Sequence, residues 1–159
     1  MNIYGYCRIS TAKQSIDRQI RNIKAEYPTA HIVQEAYTGT SIFRPEWLKL
    51  YRILRAGDVV VFDSVSRMSR NAEEGFALYD DLYHKGIRLV FLKEHHIDTE
   101  TYKKALSGSI AMTGTNVDFI LKGINEYLMA LAKEQIKLAF EQSEKEVADL
   151  HQRTREGLL

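Results

Sequence analysis

Asp58-Val59-Val60-Val61-Phe62 (DVVVF, residues 58–62) sets four apolar residues in a row behind a single acid. A strand with one wet face alternates apolar and polar side chains. This run does not, so both of its faces must be covered, as in a parallel sheet. Parallel strands need crossover connections, and helical patterns flank the run on both sides. Upstream, residues 15–27 place Ile16, Ile20, Ile23 and Tyr27 on one helical stripe, with Ser15 as its cap and Pro28 as its stop. Pro45 fits the first turn of a helix carrying Trp47, Leu48, Tyr51 and Leu54 on one side. Downstream, Glu73–Lys85 reads as a third helix ending at Gly86. Residues 2–7 (NIYGYC), His31–Ala36 and Ile87–Leu92 (IRLVFL) read as further strands. Alternating strands and helices predict an α/β fold, a mostly parallel sheet flanked by helices, with right-handed crossovers.

The last third has a different texture. Residues 107–116 (SGSIAMTGTN) form a connector, and no proline or strand-like run follows. Val117, Ile120, Leu121, Ile124, Tyr127, Leu128 and Leu131 recur at helical spacing, and Phe140, Ser143, Val147 and Leu150 continue as a thinner seam. Some 40 helical residues span about 60 Å, longer than the core beside them. The expected division is therefore an α/β core over 1–110 and a long helix over 116–157. Phe140 and the seam beyond it are expected to lie out of reach of their own globule and to be covered by a partner subunit. The other outcome is a helix folded back on the sheet.

At 159 residues the chain suits one domain, and 45% apolar with 27% charged residues excludes wholesale disorder. The single cysteine, Cys7, excludes an internal disulfide framework and a cysteine-cluster zinc site. No apolar run approaches the roughly 20 residues that span a bilayer, and the N-terminus lacks signal-peptide character, so a cytoplasmic setting is expected. Residues 1–70 carry 11 Lys/Arg against 6 Asp/Glu, whereas the remainder carries 11 against 15. A basic first half suits a polyanionic partner.

Chemistry concentrates at two strand ends. Arg8 and Ser10 follow the first strand and, in extended geometry, point to the same side. A guanidinium beside a hydroxyl suits a phosphate, the cation holding it while the hydroxyl attacks. Arg67 and Arg70, after the 58–62 strand, share a face on a helical turn and start from the same carboxyl edge. Arg44 is a further candidate cation. There is no Walker-type loop and no G-x-G-x-x-G after a strand. His31, His84, His95, His96 and His151 read as surface residues, and Cys7 as a small core residue. Asp17, Glu35 and Asp63 are too dispersed for a metal-dependent nuclease. Tyr79, Tyr83, Tyr102 and Tyr127 read as core or helix faces, with Tyr102 exposed. No metal or cofactor is expected.

These residues resemble a known family. Tyr6-Cys7-Arg8-Ile9-Ser10-Thr11 with Gln14 and Gln19 is similar to the Y-x-R-x-S-T…Q…Q opening of the serine recombinases, the resolvase/invertase group. Tyr37-Thr38-Gly39 with Arg44-Pro45, then Gly57-Asp58, Ser66-Arg67-Met68-Ser69-Arg70 and the 152–158 stretch resemble later segments of that family, in order. The resemblance implies that Ser10 attacks a DNA phosphodiester to give a 5′-phosphoserine link and a free 3′-hydroxyl. It implies that Arg8, Arg67, Arg70 and Arg44 bind the phosphate without a metal, and that Gln14 and Gln19 orient them. Double-stranded DNA would be the partner of a homodimer that becomes a tetramer when synapsed. A DNA-binding region, absent from this chain, would complete the protein. One departure stands out: the family has Asp where this chain has Ser66, which removes an acid expected to buttress the arginines. The family's helix glutamate could be Glu144 or Glu146. Two other readings remain: a catalytically impaired recombinase-like assembly module, and an unrelated flavodoxin-like α/β binding module.

Overall fold

The computed structural model describes residues 1–8, 16–35, 44–69, 72–107 and 113–155. The side chains of 105–107, 125, 128, 129, 132 and 143–155 lie outside that description. Four strands, β1 (Ile3–Arg8), β2 (His31–Glu35), β3 (Val59–Phe62) and β4 (Arg88–Phe91), pair in the order β2-β1-β3-β4, and every pairing is parallel. Helices α1 (Asp17–Glu26), α2 (Pro45–Ile53) and α3 (Ala72–His84) are the crossovers. A 3-10 turn at Val65–Arg67 leaves β3, a second at His95–Ile97 leaves β4, and α4 (Thr99–Ser107) and α5 (Asp118–Arg155) follow.

The uninterrupted apolar run is explained by two cores. Val60 and Phe62 face one, with Tyr6, Trp47 and Leu50 of α2, Tyr79 and Leu82 of α3, and Phe91. Val59 and Val61 face the other, with Cys7, Val90 and the Ile23 stripe of α1. Alternate side chains of one strand thus serve opposite faces, and none can be polar. The Phe62 and Phe91 rings stack at 5.3 Å across neighbouring strands. Arg8 and Glu35 are register partners at the carboxyl ends of β1 and β2.

Three expectations are corrected. On α2 the buried residues are Trp47 and Leu50, with Tyr51 and Leu54 packed against the core, whereas Leu48 is exposed. Tyr102 is buried, because α4 lays it edge-on against Tyr79 and Tyr83. Phe140 does reach its own globule: it is only 2% exposed and joins Ile136 in the core beside α3. The first stretch of α5 stays outside that core, with Phe119 84% exposed, and the helix joins it at Ile136 and Phe140. The contact is close enough to specify its partner. A Cβ at Gly75 of α3 would lie 2.5 Å from the Phe140 ring, so only glycine leaves room for it. Val147 and Leu150 fall outside the described side chains.

Candidate functional site

The strand order reverses direction at β1, which has β2 on one side and β3 on the other. At such a switch point the crossover helices leave to opposite faces and open a crevice at the carboxyl ends of the two strands. Arg8 ends β1 at this place, and the Val65–Arg67 turn follows β3.

Gln19, buried on α1, fixes the main chain of Arg8. Its Oε1 accepts the Arg8 N–H at 3.1 Å, and its Nε2 donates to the Arg8 carbonyl at 2.8 Å. One amide therefore satisfies both backbone groups of the residue where sheet pairing gives out. The Arg8 side chain, 6% exposed, crosses to the turn. Its Nη2 donates to the Ser66 carbonyl at 2.6 Å and its Nε to the Arg67 carbonyl at 3.3 Å. Arg44, at the start of α2, donates from Nη1 to the Met68 carbonyl at 2.6 Å. Two guanidinium groups thus converge on three successive carbonyls, 66 to 68.

Arg67 projects from the same turn. Burial pushes its pKa down, against the pull of the Asp63 carboxylate. An arginine stays charged through such a shift, so the effect is a cation poorly hydrated and strongly felt by an anion. Its buried Nε has no hydrogen-bond partner among the described residues. Asp63, itself buried, accepts from Asn22 Nδ2 at 2.9 Å and lies 3.4 Å from Lys93 Nζ.

The other acid at these strand ends is Glu35. It accepts from the Tyr6 hydroxyl at 3.0 Å and from the Trp47 and Glu46 backbone N–H groups at 3.0 and 3.2 Å. It caps α2 from a neighbouring strand, in place of the side-chain cap that Arg44 does not supply. Burial raises the Tyr6 hydroxyl pKa well above the ordinary range. Burial also pushes the Cys7 thiol up to about 12, aided by Asp63, so Cys7 is no nucleophile. His31, His84, His95 and His96 are exposed. No group of three His, Cys, Asp or Glu suited to a metal occurs among the described residues, and no described helix is long and apolar enough to cross a membrane.

The structure therefore brings together Arg8, Arg44, Arg67, Ser66 and Gln19. Ser10, Gln14 and Arg70 lie outside the described residues, as does the Ser15 cap; position 16 precedes α1 without a side-chain cap. Glu144 and Glu146 have no described side chains. Glu35, Asp63 and Glu94, which is described below, were not legible as partners of the site. Each acts on groups that only the fold brings near.

A doubly wound parallel sheet with guanidinium groups converging at its switch point has the charge and geometry to accept an anion. The chain belongs to the family described as Resolvase, N terminal domain, whose model matches residues 3–146. It is 27% identical over 159 residues to the Transposon Tn21 resolvase of Escherichia coli, covering 96% of this chain and 83% of that protein. A resolvase of Clostridium perfringens is 32% identical over 99 residues, covering 61% of this chain and 52% of the relative. The N-terminal catalytic domain of TP901-1 integrase superposes with a TM-score of 0.52 at 25% identity, over 82% of this chain and 98% of that one. A resolvase family site-specific recombinase from Streptococcus pneumoniae shares the fold at a TM-score of 0.52 and 17% identity, covering 100% and 99%. The resemblance read from the motifs and the parallel α/β class both hold, and the unrelated flavodoxin-like module is set aside.

Proposed function

We propose that this chain is the catalytic domain of a site-specific DNA recombinase with Ser10 as nucleophile. The Ser10 Oγ–phosphorus bond forms as the bond from phosphorus to the 3′-oxygen breaks. One proton leaves Oγ and one arrives at the 3′-oxygen, giving a 5′-phosphoserine and a free 3′-hydroxyl. The ester conserves the bond energy, so religation after strand exchange needs no ATP. Arg8, Arg44, Arg67 and Arg70 bind the phosphate and offset its developing charge, so no metal is required. Gln14, Gln19 and Ser66 support that arrangement. Double-stranded DNA is the substrate in a cytoplasmic setting. The chain works as a homodimer, with the 116–157 helix in the interface, and as a tetramer when synapsed.

The observation that carries this reading is the convergence of Arg8, Arg44 and the Arg67 turn at the switch point, two residues before Ser10. The test is SDS-resistant adduct formation on a pool of centrally nicked duplexes with randomised flanks, in saturating EDTA. Wild type should form the adduct, Ser10→Ala none, and Arg67→Ala about a hundredfold less. An adduct with Ser10→Ala, or strict dependence on Mg²⁺, would overturn the assignment. A wild-type chain that binds DNA but never forms the adduct would favour the impaired assembly module, which Ser66 in place of Asp suggests.

A further inference from the structure

The Val65–Arg67 turn is a single 3-10 turn, too short to hold its own geometry. Its leading N–H groups have no partner within the turn and need outside acceptors. Ser64 gives one: its Oγ accepts from the Ser66 N–H, at a long 3.4 Å. Glu94 gives the other. This half-buried residue lies in the loop just beyond β4, the strand next to β3. Its Oε2 accepts the Val65 N–H at 3.1 Å, and its Oε1 accepts the Ser64 hydroxyl at 2.9 Å. Its own backbone is fixed, donating to the Phe91 carbonyl at 3.1 Å and accepting from the Ile97 N–H at 3.0 Å.

We propose that Glu94 is the positioning residue of the arginine-bearing turn, supplying from the loop after the neighbouring strand the acid that position 66 lacks. Within the turn, Ser66 Oγ meets only Ser64 Oγ, at 3.4 Å, among the described residues. The turn is therefore held at both ends by charge. A carboxylate takes its first N–H, that of Val65, and the Arg8 and Arg44 guanidinium groups take the carbonyls that follow. Both ends match the direction of the peptide dipoles. Glu94 touches neither DNA nor Ser10 in this scheme. It fixes where Arg67 leaves the backbone and where the Arg8 acceptors stand. The role deepens the recombinase reading and rests on it only for its consequence on rate.

The test has two arms, both on the full chain. In the first, ¹⁵N NMR follows solvent exchange of the Arg8 Nε–H, whose acceptor is the Arg67 carbonyl. Glu94→Ala and, as a smaller change, Ser64→Ala should each speed that exchange about tenfold or more. Glu94→Gln can still accept the Val65 N–H, so it should restore much of the protection. In the second arm the rate of adduct formation and the DNA affinity are measured together. Glu94→Ala and Ser64→Ala should lower the rate about tenfold at unchanged affinity, the loss of one charge-assisted contact. A residue that merely stabilised the fold would not split rate from affinity. Wild-type exchange of the Arg8 Nε–H in both Glu94→Ala and Ser64→Ala overturns the proposal. Faster exchange with no adduct even from the wild-type chain supports the positioning role and counts against the Ser10 chemistry instead.

Discussion

Asp58 opens β3 with both carboxylate oxygens occupied, Oδ1 by the Asn2 N–H and Oδ2 by the Arg55 N–H, each at 3.0 Å. Burial pushes its pKa up, but those two backbone bonds, the terminal ammonium and Arg55 outweigh it, and the net shift is downward. The folded value is then below the unfolded one. The stabilisation is complete above the ordinary aspartate range and is lost as pH falls through the depressed folded value. Asp58→Asn should therefore cost about 1–3 kcal/mol at neutral pH, and the gap to wild type should close in acid. Urea unfolding across that range measures it, and a gap that stays constant with pH would refute the account. Glu94 shifts the opposite way, raised by burial despite its bonds from Ser64 and Val65. At this scale the sequence was legible where charge meets a strand end, as at Arg8 and Arg67. It was silent on Glu35 and Glu94, because each binds backbone groups from a different element. No local spacing encodes such a contact.

Among the elements, β3 and α1 were readable because their apolar periods are set by two-sided and one-sided burial. The packing of the long helix was not. Its apolar residues recur over many turns, and periodicity does not say which turn touches the core and which stands free. The deciding contact pairs Phe140 with a glycine far away in sequence. Alanine is ordinarily a better helix former than glycine by about 1 kcal/mol. Gly75→Ala should nevertheless destabilise the protein, because the new methyl group displaces the Phe140 ring. Phe140→Ala should cost about 3–5 kcal/mol by opening a cavity. The double variant should lose clearly less than the two single losses combined, since the methyl then occupies vacated space. Chemical denaturation of the three variants decides this, and strict additivity would exclude the socket. The α4 helix escaped notice for a related reason: among its described side chains the one large buried residue, Tyr102, gives no periodic stripe to read.

For the whole molecule, Val117 just before α5 and Phe119, Ile120 and Tyr127 on its first half leave a broad apolar surface. A second copy of the chain is the proposed cover. Phe119→Glu with Ile120→Glu should weaken self-association in sedimentation equilibrium while far-UV circular dichroism and melting stay near wild type. Association that survives both changes would place the dimer elsewhere. The strand order has a different consequence, for the order of events on the ribosome. β1 is the first strand made, yet it ends between β2 and β3. At about 5–20 residues per second, roughly 3–11 s separate the synthesis of Arg8 from that of Phe62. Throughout that interval the Ile3–Arg8 segment has no β3 beside it, and one row of its backbone groups lacks its final partner. The middle of this sheet is begun first and closed late, so the nascent chain carries an open strand edge until Phe62 has been translated.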